Sequence, residues 1–229
     1  MFDILYTNDD FLVINKHPNV SVHKDDGDTM LLEEVKKETG DSQLYLIHRL
    51  DKMTSGLLLL GRHSTAARVL SQQFADRQIN KFYLAIGLKK PKKKQGLIKG
   101  DMVRSRRASW KLINSTDNPA ITQFFSAAGD SGERVFLCKP YTGKTHQIRV
   151  ALNSIGSSIV GDAIYSPSSS ADRGYLHAFQ LQFRFNDVDY CFQCDPSDDS
   201  NLGSKWQTET VKKAIETWSS PETQPWPNV

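Results

Sequence analysis

The chain has 229 residues, 38% of them hydrophobic and 24% charged, which is typical of a globular protein rather than a disordered or fibrous one. It carries 29 Lys and Arg against 26 Asp and Glu, so the net charge of +3 is too small to indicate a nucleic-acid binder. No apolar run approaches the length of a membrane span, and residues 1–5 lack the basic start of a signal peptide, so we expect a cytoplasmic protein.

The three cysteines fit a reducing compartment, because Cys138, Cys191 and Cys194 cannot all pair within one chain. Cys191 and Cys194 have the spacing of a redox or zinc pair, but no second cysteine pair or nearby histidine accompanies them. We therefore expect ordinary core cysteines.

The N-terminal part predicts two strands and a helix. The strands cover residues 3–7 and 10–15, and a turn-like Asn-Asp pair separates them. Lys16 and Pro18 then end the second strand. Asp28 or Thr29 can cap a helix that runs to residue 39 and stops at Gly40.

The most apolar run in the chain, residues 57–60, directly follows ionisable and small residues. Those residues are His48, Arg49, Asp51, Thr54, Ser55 and Gly56. The run suits a buried strand, and the small residues let a backbone or a ligand approach. A carboxylate at the mouth of such a strand needs a nearby cation to stay ionised. The pattern alone leaves a surface salt-bridge cluster and a nucleophilic carboxylate equally open.

A helix over residues 64–75 and a strand from Lys81 come next. The two-residue period places Lys81 and Tyr83 on one face of that strand, where a wetted edge tyrosine is the ordinary interpretation. A basic run at residues 89–94 follows, with Arg104, Arg106 and Arg107 beyond it. These residues fit solvated loops and phosphate contacts equally well.

Four further strands are predicted in quick succession, over residues 96–103, 108–113, 120–128 and 133–139. So many strands with few helices between them favour a large, mainly antiparallel sheet. A closing amphipathic helix is predicted over residues 207–218.

A second cluster of polar residues precedes a short helix. Gly143, Lys144 and Thr145 look like the end of a P-loop, but Cys138 stands where that motif needs glycine, which excludes a nucleotide triphosphatase. Instead we expect Thr145 to cap a helix that ends at Gly156. Arg149 lies beside its apolar stripe and could be a plain surface arginine.

Several of these segments, in this order, resemble the motifs of the RluA-type pseudouridine synthases, which isomerise uridine in RNA to pseudouridine. Residues 48–59 resemble the catalytic motif, residues 74–83 a Phe-x-x-Arg-x-x-x-Lys-x-Tyr motif, and residues 142–150 a Thr-Gly-Arg-Thr-His-Gln-Ile-Arg-Val motif. The Asn-Lys-x-Pro at residues 15–18, the Ile-x-Gly-Asp-x-x-Tyr at 159–165 and the Leu-His-Ala at 176–178 resemble three more.

The resemblance implies an α/β (α+β) pseudouridine synthase fold, with a long, mixed, mostly antiparallel sheet, flanking helices and a central cleft. It implies a single catalytic domain over residues 1–229, with a core to about residue 195 and a C-terminal loop, helix and tail over 196–229. We expect no separate N-terminal RNA-binding domain.

The resemblance also assigns roles. Asp51 would be the catalytic carboxylate, Arg149 its ionic partner, and Tyr83 the ring that stacks on the target base. The residues implied to contact substrate RNA are Lys16, His48, Arg49, Thr54, Ser55, Gly56, Arg77, Lys81, Lys144, Thr145, His146 and Gln147. The chain departs from the family pattern at Lys144, which replaces arginine, and at Ala151, which replaces histidine.

The implied partner is RNA, a tRNA or rRNA stem-loop, and we expect a monomer with no membrane association. Isomerisation involves no net redox or hydrolysis, so we expect neither metal nor cofactor. Two other classes stay open: a hydrolytic glycosidase, which usually requires a second carboxylate, and an RNA-binding protein without catalytic activity.

Overall fold

The computed structural model describes residues 1–22, 30–106 and 108–229 of the chain. His23, the predicted helix caps Asp28 and Thr29, and Arg107 lie outside these residues. The chain divides into two compact units. The first unit consists of Met1–Asn80 and Ala178–Cys194, and the second of Lys81–His177 and Asp195–Val229.

The residues of the first unit that the structure describes form six strands and two helices. The strands are β1 (Phe2–Thr7), β2 (Phe11–Lys16), β3 (Tyr45–Leu46), β4 (Ser55–Gly61), β10 (Leu176–Phe185, in this unit from Ala178 onward) and β11 (Val188–Gln193). They lie in the order β1-β2-β4-β10, with β11 paired to β10 and β3 paired to β4. The helices are α1 (Met30–Thr39) and α2 (Ser64–Ala75).

Burial explains the apolar run that dominates the sequence. Every residue of β2 and β4 is buried, so these strands need no alternation of polar and apolar residues. Helix α2 packs against the end of β4, since a Cβ added at Gly61 would lie 2.9 Å from the Cβ of Ala67. The bounds predicted for α2 are confirmed.

The second unit contains five strands and two helices. The strands are β5 (Asn80–Gly87, in this unit from Lys81), β6 (Gln95–Arg104), β7 (Trp110–Ile113), β8 (Ala120–Ala128) and β9 (Arg134–Pro140), in the order β5-β9-β8-β6-β7. The helices are α3 (Gln147–Ser154) and α4 (Glu209–Thr217). The pairings β5–β9, β9–β8, β8–β6 and β6–β7 are all antiparallel.

Strands β6 and β7 form a hairpin, and its second strand starts later than the sequence predicts. Strand β7 begins at Trp110 rather than at Ala108, because Ala108 adopts a φ of +57° inside the connecting turn. That turn is closed by a hydrogen bond from the Ser105 N–H to the Ser109 carbonyl, 2.8 Å long. Arg104 and Arg106 are exposed near its tip.

The C-terminal residues pack onto the second unit. Trp206 is fully buried, with its ring 5.4 Å from that of Tyr175. Helix α4 is two residues shorter at its start than predicted, because Thr208 still has extended backbone angles. Trp226 packs near Phe82 and Phe125.

The predicted fold class is confirmed: helices flank a mostly antiparallel arrangement of strands. The assignment of the whole chain to one catalytic domain stays a prediction. Among the described residues, no helix has the length and apolar character to cross a bilayer. Of the three cysteines only Cys138 is buried, so the core prediction is wrong for the exposed Cys191.

Candidate active site

Asp51 stands on a tight turn that leads into β4. The Thr54 N–H donates to the Asp51 carbonyl at 2.9 Å, which closes the four-residue turn. The residue is half-buried, whereas Thr54 at the start of the strand is 2% exposed. The turn therefore presents a partly accessible carboxylate at the end of a fully buried strand.

Lys16 fixes the same turn from the neighbouring strand. Its side chain is fully buried, and its ammonium donates to the carbonyls of His17 at 3.0 Å, Val20 at 2.8 Å and Lys52 at 3.3 Å. An ammonium has three protons to donate, and these bonds use three. Lys16 thus ties the end of β2 to the residue that follows Asp51.

His48 also supports the approach to Asp51. Its Nε2 accepts the Leu59 N–H at 3.0 Å, and its ring stacks on Phe74 with a centroid separation of 4.5 Å. Accepting that bond requires an unprotonated Nε2, so the neutral ring carries its proton on Nδ1. These contacts hold the segment before Asp51 against β4 and α2.

The remaining predicted contact residues of the first unit differ in exposure. Ser55 is fully buried, and a Cβ added at Gly56 would lie 2.3 Å from the Ala178 carbonyl oxygen, so protein backbone occupies the space beside this glycine. Arg49 and Arg77 are exposed, and Arg77 has a φ of +60°. Whether these residues contact RNA stays a prediction.

In the second unit, Lys81 and Tyr83 lie on β5. Tyr83 is 9% exposed and pairs in register with Cys138 of β9, so the interpretation as a wetted edge tyrosine is wrong. Lys81 is half-buried, and its Nζ lies 3.8 Å from the position of a Cβ added at Gly143. Lys81 therefore lies beside the loop before α3.

Gln147 organises that loop. Its Oε1 accepts the Thr142 hydroxyl at 2.6 Å and the Lys144 N–H at 3.0 Å. Its Nε2 donates to the Ile121 carbonyl and the Thr122 hydroxyl, both at 3.0 Å. With both amide protons and two acceptor positions used inside the protein, Gln147 holds the loop on β8.

The loop enters α3 differently from the prediction. The N-cap is His146 rather than Thr145, and it has a left-handed backbone with φ of +58° and no side-chain capping bond. The side chain of Gln147 accepts the Lys144 N–H, which lies before the helix, so this bond holds the loop and not the first helical N–H groups. Thr145 is exposed, and the Lys144 ammonium donates to the Asn118 carbonyl.

Arg149 is a buried arginine. It is 5% exposed, so the alternative of a helix-surface arginine is wrong. Its Nε and Nη2 donate to the two oxygens of Asp162, at 2.7 and 2.9 Å, in a bidentate ion pair. Asp162 is fully buried, and its Oδ1 also accepts the N–H groups of Ile164 and Tyr165. The pairing of Arg149 with Asp51 stays a prediction.

Tyr165 completes this cluster. The Arg149 guanidinium carbon lies 5.2 Å from the centroid of its ring. Its hydroxyl is 3.1 Å from His146 Nδ1 and accepts the Trp110 N–H at 2.9 Å. Sequence reasoning gave Asp162 and Tyr165 no role, and the Gly-Asp-x-x-Tyr segment was the only signal that could have identified them.

The comparisons with known proteins agree on one family. A family model described as RNA pseudouridylate synthase matches residues 10–154. An uncharacterized RNA pseudouridine synthase of Haemophilus influenzae is 44% identical over 217 residues, which cover 94% of this chain and 95% of that protein. Ribosomal large subunit pseudouridine synthase C of Vibrio parahaemolyticus is 27% identical over 209 residues, 87% of this chain but 66% of that protein.

The fold has a counterpart among solved structures. Human RNA pseudouridylate synthase domain containing 1 superposes with a TM-score of 0.75 at 23% identity. The superposition covers 100% of this chain and 97% of the human one. At this identity the likeness concerns the fold.

Proposed function

Since the chain belongs to the RNA pseudouridylate synthase family and is therefore an isomerase of uridine in RNA, we propose that Asp51 is its catalytic carboxylate. The observation that carries the proposal is the turn at Asp51. Its carboxylate is partly accessible, while Thr54 on one side and Lys16 on the other fix the backbone. A reacting group held in this way loses little freedom when it meets substrate.

We propose Arg149 and Tyr83 as the other members of the catalytic set. Arg149 would keep the carboxylate ionised, as a guanidinium near an acid lowers the pKa of that acid. Its bidentate pair with Asp162 supports this role, because it fixes the plane of the guanidinium. Tyr83 would stack on the target uracil, as aromatic rings do with unpaired bases.

In the proposed reaction the C1′–N1 bond of the nucleoside is replaced by a C1′–C5 bond. The uridine is first turned out of its stack, because the reacting atoms cannot be reached within it. Asp51 attacks C1′ of the ribose or C6 of the uracil, or removes a proton from the sugar. The C1′–N1 bond breaks, the uracil turns and C5 bonds to C1′, which displaces Asp51 wherever it had formed a bond. The C5 proton leaves to solvent and N1 takes up a proton, so the product is an isomer of the substrate. A nearby carboxylate stabilises positive charge that develops at C1′.

The proposed substrate is a stem-loop of tRNA or rRNA. Exposed basic side chains could bind its phosphates without reading sequence. The described residues that offer them are Lys89, Lys90, Lys92, Lys93, Lys94, Arg104, Arg106 and Lys111. We further propose that Arg49, Arg77, Lys81, Lys144, Thr145 and His146 contact the RNA near the target uridine.

The test is release of tritium from RNA labelled at uracil C5. We expect the wild-type protein to release it and Asp51→Ala to reduce the rate by at least about 10³-fold, as removal of an essential nucleophile does. RNA binding by the variant should persist within about threefold. Asp41→Ala, a change of another carboxylate in the same unit, serves as the control.

The same assay distinguishes the competing classes. A glycosidase would liberate free uracil, and a protein that only binds RNA would release no tritium at all. Asp51→Ala with wild-type tritium release would contradict the proposal. A cytoplasmic location, a monomeric state and a reaction without metal or cofactor stay predictions from the sequence.

A further inference from the structure

The hydroxyl of Tyr165 joins three elements of the second unit. It lies in the loop after α3, accepts the N–H of Trp110 at the start of β7, and lies 3.1 Å from Nδ1 of His146 at the start of α3. The same ring packs against the guanidinium of Arg149 and meets the ring of His146 edge-on, at 89° and 5.7 Å. The side chain of Tyr165 thus touches Arg149, the proposed catalytic arginine, and His146, which is proposed to bind RNA. It also touches the hairpin at Trp110.

Donor and acceptor chemistry fixes the direction of one of these contacts. A backbone N–H can only donate, so the Tyr165 oxygen accepts from Trp110. The Tyr165 hydroxyl can also donate, and we infer that it donates to Nδ1 of His146, which the tautomer measurement below tests. In that arrangement the neutral imidazole carries its proton on Nε2.

Asp162 makes the cluster rigid. It accepts the backbone N–H of Tyr165 at 3.2 Å while both its oxygens bind Arg149. Arg149 and Asp162 are nearly or fully buried, so their pair is little weakened by solvent. Asp162 therefore links the backbone of Tyr165 to the guanidinium that the tyrosine ring contacts.

The hairpin and the segment that follows it are attached at two points, one to Tyr165 and one to the loop before α3. Trp110 binds Tyr165 where β7 begins, and the Lys144 ammonium binds the Asn118 carbonyl after β7 ends. Asp101 of β6 closes the segment in between, by accepting the Ser115 hydroxyl and the N–H groups of Asp117 and Asn118. The hairpin is thus fixed beside its connecting turn, where Trp110 pairs with Arg104, and beyond its root at Asn118, while Arg104 and Arg106 near the tip are exposed.

We propose that the Tyr165 hydroxyl is a positioning group that fixes Arg149 and His146 relative to the tip end of the β6–β7 hairpin, so that RNA held by the hairpin meets a correctly oriented arginine. The inference rests on the proposed function, because Arg149 belongs to the proposed catalytic set. Tyr165 acts through its neighbours and touches no reacting atom.

Tyr165→Phe tests the inference, because it keeps the ring on Arg149 and removes only the hydroxyl. We expect the single-turnover rate of tritium release to fall about tenfold, the effect of about one hydrogen bond, while the Kd for RNA changes less than twofold. A second measurement uses ¹⁵N NMR of the free protein. The Nε2–H tautomer of His146 should dominate in the wild type and lose its dominance in the variant.

Tyr45→Phe removes a hydroxyl from the first unit and should change neither measurement. Two results would overturn the inference. One is a tenfold loss of tritium release that comes equally from a lower single-turnover rate and a weaker Kd for RNA. The other is a His146 tautomer that is the same in Tyr165→Phe as in the wild type. If the wild-type protein releases no tritium, the proposed function fails, but the NMR comparison still decides whether Tyr165 positions His146. A variant that unfolds would show itself by loss of the dispersed spectrum. The wild-type spectrum would then decide, because a dominant Nδ1–H tautomer of His146 would overturn the inference.

Discussion

A buried lysine in the first unit shows how a single residue can shape a reaction centre without touching substrate. Lys16 is the last residue of β2, and its ammonium donates hydrogen bonds to carbonyls of two loops. The resemblance to the family implied that Lys16 contacts RNA. Its full burial indicates that it supports the turn that carries Asp51.

Lys16→Met should therefore destabilise the protein. The methionine fills most of the volume but leaves three carbonyls without their donor, at about 1 kcal/mol or more for each that stays buried. We expect the free energy of unfolding, measured by urea denaturation, to fall by about 2–4 kcal/mol. Lys37→Met on an exposed face of α1 should change it by less than about 0.5 kcal/mol, and equal effects of the two changes would contradict this role.

At the scale of the element, β4 depends on a glycine. Gly56 has a φ of +103°, and the Ala178 backbone of β10 lies where a side chain would begin. It also pairs in register with Lys16 of β2. The sequence showed that small residues precede the apolar run, and the structure shows that a neighbouring strand, rather than a ligand, uses the space at Gly56.

Gly56→Ala should be more disruptive than an ordinary glycine substitution. It combines the strain of a positive φ, about 1 kcal/mol, with a collision against backbone that cannot move away cheaply. We expect a loss of about 3 kcal/mol or more in the free energy of unfolding. Gly40→Ala provides the matched control, because Gly40 also has a positive φ, +75°, but a Cβ there meets nothing within 4 Å. A loss near 1 kcal/mol for both variants would disprove the collision.

For the whole chain, local patterns predicted the elements far better than their partners. Helix α2 and strand β8 were predicted with their observed bounds, because periodicity and turn residues are local signals. The insertion of β10 next to β4 was not predictable, since pairing between distant strands leaves no trace in a short window. The Arg149–Asp162 ion pair was not predicted for the same reason, because no rule of sequence spacing identifies an ion pair between a helix residue and a loop residue.

Acid should weaken the contacts between Asp195–Val229 and the rest of the second unit. Burial alone would raise the pKa of Asp172, but hydrogen bonds from the Tyr175 hydroxyl and from the N–H and hydroxyl of Ser204 outweigh it and hold the pKa below 3.8. A carboxyl with a lowered pKa in the folded state adds stability above 3.8, and that stability is lost as the pH falls further.

Asp172→Asn should therefore be less stable than the wild type at pH 7, with the difference shrinking between about pH 4 and pH 2. Urea denaturation at several pH values measures both quantities. The exposed Asp187, changed to Asn, should give little effect at any pH. A difference for Asp172→Asn that stays constant down to pH 2 would show that its charge is not involved.

Strand β4 meets β10 although residues 62–175 separate them in the sequence. During synthesis, at about 5–20 residues per second, those roughly 114 residues take about 6–23 s to emerge. Strand β3 covers only the last two residues of β4, so residues 55–59 expose an apolar, hydrogen-bonding edge for that time. The nascent chain must keep this edge from other chains, so we expect the yield of folded protein to depend on chaperones at the ribosome.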